Sequence, residues 1–188
     1  GTEKRMAIVN VLRKYIKESK NIRFEGDGYS EEWVKEAAKR GMNNIKNMPR
    51  ALDAYVSKKS LTLFEKHGVL NHKEVEARNE IRLESYIKRV QIEARVMGDL
   101  AMNHIVPTAI AYQTKLIENA NGLKGLGVDN AAVVQTIKEI SGHIDTIKTS
   151  VRAMVEERKR INKITDTHKR ALAYCDDIKE KYFEQIRD

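Results

Sequence analysis

The five histidines are the first residues to test for metal chemistry. A di-iron bundle needs Glu-x-x-His on two helices, because residues three apart project from one helix face. The residues three positions before each histidine are Phe64, Val69, Ala101, Ile140 and Thr165. None of them is a carboxylate, so the spacing predicts no di-iron site.

Cys175 is the only cysteine, so it cannot form an internal disulfide or supply the several thiolates of an ordinary structural zinc site. It lies on the apolar stripe of a helical pattern. We therefore expect a buried structural thiol and no nucleophile. Unpaired cysteine is typical of a reducing compartment, and we predict a cytoplasmic protein.

The sequence GLKGLG at 122–127 superficially resembles a phosphate-binding loop. No strand precedes it, and no Lys-Ser/Thr pair follows at the spacing that a P-loop requires. We interpret it as a turn between helices. The chain is thus predicted to hold no catalytic, cofactor-binding or metal-binding residue.

The net charge of +8 is uneven, with +6 in residues 1–60 and +2 in residues 61–188. Nucleic-acid binders usually concentrate basic residues on one face. The densest cluster, at 158–170, is answered by Glu156, Glu157 and Asp166 and has no interleaved aromatics for base stacking. A solvated face, or a contact with an acidic neighbour, is favoured over nucleic-acid binding, and no membrane partner is expected.

Three residues are the candidates for an interface. Trp33, the only tryptophan, lies close to Tyr29, and aromatic anchors in loops are frequent contact sites. A loop folded onto the protein by its own Trp33 explains the same pattern. Arg158 interrupts an apolar seam, and such an arginine sets helix register or reaches a partner's carboxylate.

Short helices are predicted in the first third of the chain. Residues 3–18 form one amphipathic pattern, and Ser30 before two glutamates favours a capped helix that ends at Gly41. Two more short helices are expected, one opened by Pro49 and one from about Ser57 to His67.

Longer helices are predicted from Asn71 onward. The first has an apolar seam with steps of three and four residues: Leu83, Ile87, Val90, Ala94, Met97, Ala101, Ile105, Thr108, Tyr112 and Leu116. Pro107 should kink this helix without ending it. The second seam is a heptad pattern: Val133, Ile137, Ile140, Ile144, Ile147, Val151, Met154, Arg158 and Ile161.

A third apolar pattern runs from Ile164 to Tyr182, and the sequence leaves open whether the helix breaks near residue 162. Long helices joined by a short turn pack as antiparallel neighbours. We expect the N-terminal helix and the 162–188 segment to complete the bundle. The predicted fold class is all-α, an antiparallel bundle of long helices with several short N-terminal helices.

Four stretches carry a resemblance to a known family: GDGYSEEWVKEAAKRG (26–41), ALDAYVS (51–57), LFEKHGVL (63–70) and IEARVMGDLAMNHIVPTAIAYQ (92–113). In order and spacing they resemble the C-terminal region of type III glutamine synthetases, the large bacterial form, over roughly residues 3–123. Residues 1–188 are therefore expected to be one helical domain, a C-terminal fragment of a longer chain. Residues 3–70 would form its short-helix region and residues 71–188 its long-helix bundle.

The resemblance implies a parent enzyme that joins ammonia to glutamate with ATP and a divalent metal, Mg²⁺ or Mn²⁺. The catalytic residues would belong to an upstream domain of the same chain, within a homo-oligomer of stacked rings. This region would act in packing, assembly or regulation of that glutamate–ammonia ligase. A free-standing helical interaction module is the alternative, and a nucleic-acid-binding domain ranks behind both.

Overall fold

The computed structural model describes residues 1–187, which form helices and no strand, confirming the all-α prediction. Two compact units are present, one spanning Gly1–Ile45 and one beginning at Lys46. Whether the whole chain acts as one domain stays a prediction. Among the described residues, no helix is both long enough and apolar enough to cross a bilayer.

The first unit contains α1 (Thr2–Glu18), a short 3-10 turn (Lys20–Ile22) and α2 (Glu31–Lys39). Ser30 caps α2 as predicted, since its Oγ accepts the Trp33 N–H at 3.2 Å. Gly41 follows α2 with φ of 74°, a conformation that glycine adopts without strain. α1 buries none of its residues. That it completes the bundle stays a prediction.

The second unit begins with two short helices, α3 (Met48–Tyr55) and α4 (Lys58–Lys66). Side chains cap both helices: Asn47 accepts a backbone N–H at the start of α3, and Ser57 does so for α4. Pro49 occupies the first turn of α3, where its missing N–H costs no helical hydrogen bond. The predicted short helices are thus confirmed.

The long helix α5 (His72–Leu100) runs into a π-helical turn (Ala101–Ile105) and continues as α6 (Val106–Gly125). The first part of the predicted seam is confirmed: Leu83, Ile87, Val90, Ala94 and Ala101 are buried.

The part of the α5–α6 seam from Ile105 to Tyr112 is displaced by one residue. Ile105, Thr108 and Tyr112 were predicted to lie in the core and are exposed. The buried or half-buried positions are instead Met102, within the π-turn, and Val106, Ala109 and Gln113 after it. Leu116, the last member of the predicted seam, is half-buried as predicted. A π-turn contains one residue more than an α-turn, so it rotates the face that follows it. Pro107 lies just beyond and cannot donate a helical hydrogen bond, which accounts for an irregularity here in place of a regular helix.

The helix α7 (Ala131–Ile161) packs antiparallel to α5 and α6. Gln113 Nε2 donates to Ile137 O at 3.0 Å, whereas Gln91 Nε2, earlier in the chain, donates to Asn162 Oδ1 at 2.9 Å. The seam of α7 is confirmed as its packed face, with Ile144, Val151, Met154 and Ile161 buried and the remaining members half-buried.

The helix breaks after Ile161, and Asp166 caps α8 (Thr167–Ala173) by accepting the Lys169 N–H at 2.7 Å. A second π-helical segment (Tyr174–Glu180) and α9 (Lys181–Arg187) complete the described chain. This last part packs on α5 and α7 and supplies much of the core: Ala171, Tyr174, Cys175, Ile178, Tyr182 and Ile186.

Candidate functional site

The loop before α2 presents Tyr29 to solvent. The Tyr29 side chain is as exposed as in an extended peptide, at 101%. Asp27 shapes the loop, since its Oδ1 accepts the Tyr29 N–H at 2.9 Å and its carbonyl accepts Ser30 Oγ at 2.8 Å. A large aromatic ring held out by an ordered turn is available for a partner.

Trp33 has a different environment from Tyr29. Its ring packs on Phe24, with 4.5 Å between centroids, and the Arg40 guanidinium lies 5.8 Å from the ring centroid. Arg40 also binds Glu36 at 2.8 Å, and this hydrogen bond lowers the pKa of the Glu36 carboxyl. The indole thus lies in contacts within its own unit, as the folded-loop alternative expects, and remains only half-buried.

Arg158 lies half-buried on the packed face of α7. Within residues 1–187 it forms no hydrogen bond or ion pair, whereas its neighbour Glu157 binds Arg160, which also reaches Asp177 at 2.9 Å. A carboxylate partner for Arg158 therefore stays a prediction.

An ion pair and a histidine–carboxylate hydrogen bond join α3 to the C-terminal helices. Arg50 forms a bidentate contact with Asp176 at 2.8 and 2.7 Å, and His168 Nε2 lies 2.7 Å from Asp53 Oδ1. The hydrogen bonds from Arg50 hold the pKa of the Asp176 carboxyl below its usual range, and the carboxylate raises the pKa of Arg50 in return. The sequence holds no signal for these pairs, because the partners lie 126 and 115 residues apart.

One group of side chains has a geometry compatible with a metal: the ligand atoms of Cys175, Asp176 and Glu180 lie within 4.8 Å of one another. Asp176 is already bound by Arg50, and burial raises the pKa of the Cys175 thiol. Mg²⁺ and Mn²⁺ prefer oxygen ligands, and this group offers only one carboxylate free of an arginine. These residues do not fit the metal expected of the parent enzyme.

An apolar groove of about 740 Å³ lies between α5, α7 and α9. We call it the α5–α9 groove, and the following residues line it: Ile92, Glu93, Val96, Met97, Leu100, Ala101, Ile105, His143, Thr146, Ile147, Phe183, Gln185, Ile186 and Arg187. Ile92 is 62% exposed, Val96 51% and Leu100 47%, so a row of aliphatic side chains on α5 faces solvent.

A second, shallower depression extends the groove along α6. It measures about 480 Å³, includes Thr108 and Tyr112, and shares Ile105 with the α5–α9 groove. These are the residues that the sequence pattern assigned to the core. Because the π-turn displaces them outward, one apolar surface follows α5 and α6 from Ile92 to Tyr112. The sequence pattern contains these residues but places them on the buried face of the helix.

A sequence model described as the glutamine synthetase C-terminal domain matches residues 7–124. The chain belongs to this family. The match includes α5 and all of α6 except its last residue, and it confirms the extent of the resemblance found in the sequence.

Relatives with curated names agree with this assignment. A glutamine synthetase of Bacteroides fragilis (strain YCH46) is 43% identical over 194 residues, covering all of this chain and 26% of the relative. A glutamine synthetase of Butyrivibrio fibrisolvens is 29% identical over 93% of this chain, and a type-3 glutamine synthetase of Dictyostelium discoideum is 28% identical over 85%. The chain spans about a quarter of the length of these relatives.

Proposed function

We propose that this chain is the non-catalytic C-terminal helical domain of a glutamine synthetase, where it acts in packing, oligomer assembly or regulation. The match to the C-terminal domain family over residues 7–124 carries this proposal. The parent enzyme joins ammonia to glutamate with ATP and Mg²⁺ or Mn²⁺, as a cytoplasmic homo-oligomer. Its catalytic and metal-binding groups lie in the part of the relatives that this chain does not span.

Tyr29 and Arg158 are the proposed contact residues for the rest of the enzyme, and Trp33 supports the Tyr29 loop. Tyr29 offers a free aromatic ring, and Arg158 offers a guanidinium without a partner in the described chain. Both types of side chain are enriched among residues that dominate interface energetics.

Glutamine formation tests this function directly. The intact parent protein should form glutamine in a reaction that requires both ATP and ammonia. The same protein lacking this region should lose assembly, measured by sedimentation velocity, or lose rate. A parent that forms no glutamine would overturn the assignment, and a truncated enzyme with unchanged assembly, rate and response to metabolites would remove the accessory role.

A free-standing interaction module is the second candidate, because the unit from Lys46 onward has its own core and the α7 heptad face. Such a module should be monodisperse and should unfold cooperatively without any other chain. Nucleic-acid binding is less well supported: Lys159 and Arg160 in the basic cluster are each paired with a glutamate.

A further inference from the structure

We propose that the α5–α9 groove is the docking surface for the catalytic part of the same glutamine synthetase chain, which inserts a convex apolar segment into it. This inference rests on the proposed function and names the partner and the surface that the domain uses.

The folding of the second unit does not explain the aliphatic row on α5. Ile92, Val96 and Leu100 point away from the core that Leu83, Ile87 and Val90 build on the same helix. Together with Phe183 they line one continuous concave surface, which Ile105 joins to the depression along α6. Contiguous apolar surfaces of this kind mark interaction sites on proteins that are otherwise well packed.

The shape of the surface argues against a symmetric contact between two copies of this domain. In an isologous dimer the same patch faces itself, and two concave grooves facing each other leave their volume unfilled. A groove of about 740 Å³ needs a protruding occupant, such as a helix or a loop with aliphatic side chains.

The remainder of the parent chain is the occupant that we propose for the groove. About three quarters of the length of the relatives lies outside the matched stretch. A covalently connected region is present in equal amount and at high effective concentration, so it occupies such a surface ahead of any separate protein.

The polar residues of the groove add one requirement for the occupant. Glu93 lies in the lining and forms no ion pair within the described chain. Burying this carboxylate beneath a partner is costly unless a cation or hydrogen-bond donor meets it. We therefore expect a lysine or arginine to flank the inserted apolar segment.

Site-specific thiol labelling of the intact enzyme tests the docking surface. Val96→Cys places a thiol in the groove, and the matched control Ile81→Cys places one on the same helix outside it, at a position 63% exposed. Maleimide labelling of each thiol is followed at the peptide level and normalised to the rate in denaturant. Val96→Cys should react at least about tenfold more slowly than the control in the native enzyme, because a docked segment covers it. Equal rates would overturn the proposal.

A photo-activatable cross-linker attached to the Val96→Cys thiol identifies the occupant. The expected product joins this thiol to a peptide of the catalytic part and keeps the mass of a single chain in denaturing electrophoresis, which shows that both ends belong to the same chain. Products within residues 1–188 of another copy, or with another protein, would overturn the assignment. Glutamine formation by the unmodified parent is measured separately, so failure of the docking proposal is distinguishable from failure of the proposed function.

Discussion

At the scale of single residues, the Arg50–Asp176 contact shows how local chemistry secures a distant connection. The two side chains are partly exposed, at 45% and 38%, so solvent screens the attraction between their charges. The contact therefore contributes mainly by fixing the geometry of the two segments. A bidentate guanidinium–carboxylate pair fixes orientation as well as distance. It therefore holds α3 in one position against the second π-helical segment.

Replacing Asp176 with Asn should lower the melting temperature slightly at neutral pH, and this difference should vanish in acid. Because Arg50 lowers the folded-state pKa of Asp176, its contribution is present above the unfolded pKa of about 3.9 and lost as pH falls through the folded value. Thermal melts of both proteins from pH 7 to pH 3 measure this. Asp145→Asn, on the exposed side of α7, is the control, and a gap that is as large at pH 3 as at pH 7 would contradict the pair's role.

At the scale of elements, the π-turn decides which side of α6 is buried. The seam before it and the seam after it each follow regular steps of three and four residues. One extra residue between them turns the second half, so Val106 is buried and Ile105 is 53% exposed.

Alanine substitutions at these adjacent positions test the register. Val106→Ala should reduce the free energy of unfolding by about 2 kcal/mol, since it removes methyl groups from the core. Ile105→Ala should change it by less than about 0.5 kcal/mol, as is usual at surface sites. Urea denaturation of both variants gives the comparison. A larger loss of stability for Ile105→Ala than for Val106→Ala would support the register predicted from the sequence.

The elements also show what could be predicted from the sequence. Ser30, Pro49 and Gly41 act within one turn of their own position, so their helix boundaries were predictable. The π-turn was not, because Pro107 predicts an irregularity without its type, and one inserted residue leaves the pattern on either side intact. The sequence did not predict the groove for the same reason, because its apolar pattern places Ile105 and Tyr112 in the core.

At the scale of the molecule, stability should differ sharply between the elements of the chain. α1 exposes all its apolar side chains, with Met6, Leu12 and Ile16 each more than half exposed. A 17-residue helix without tertiary packing is marginal in water. In contrast, α5 and α7 contribute to one core together with the C-terminal helices.

Hydrogen exchange of this chain should show that difference. Amides of α1 should exchange at least about a hundredfold faster than those of the buried parts of α5 and α7, because only local opening is needed. Mass spectrometry of peptides from 2–18 and 83–94 measures the rates. Comparable protection of the two peptides would contradict an unpacked α1.

The position of Trp33, whose ring packs on Phe24, lets tryptophan fluorescence report on one unit of this chain. Because Trp33 is its only tryptophan, the indole emission of this chain comes entirely from the unit that spans Gly1–Ile45. Far-ultraviolet circular dichroism, in contrast, is dominated by the long helices that begin at α5. A fluorescence melt and a dichroism melt of the same sample therefore report on two different units.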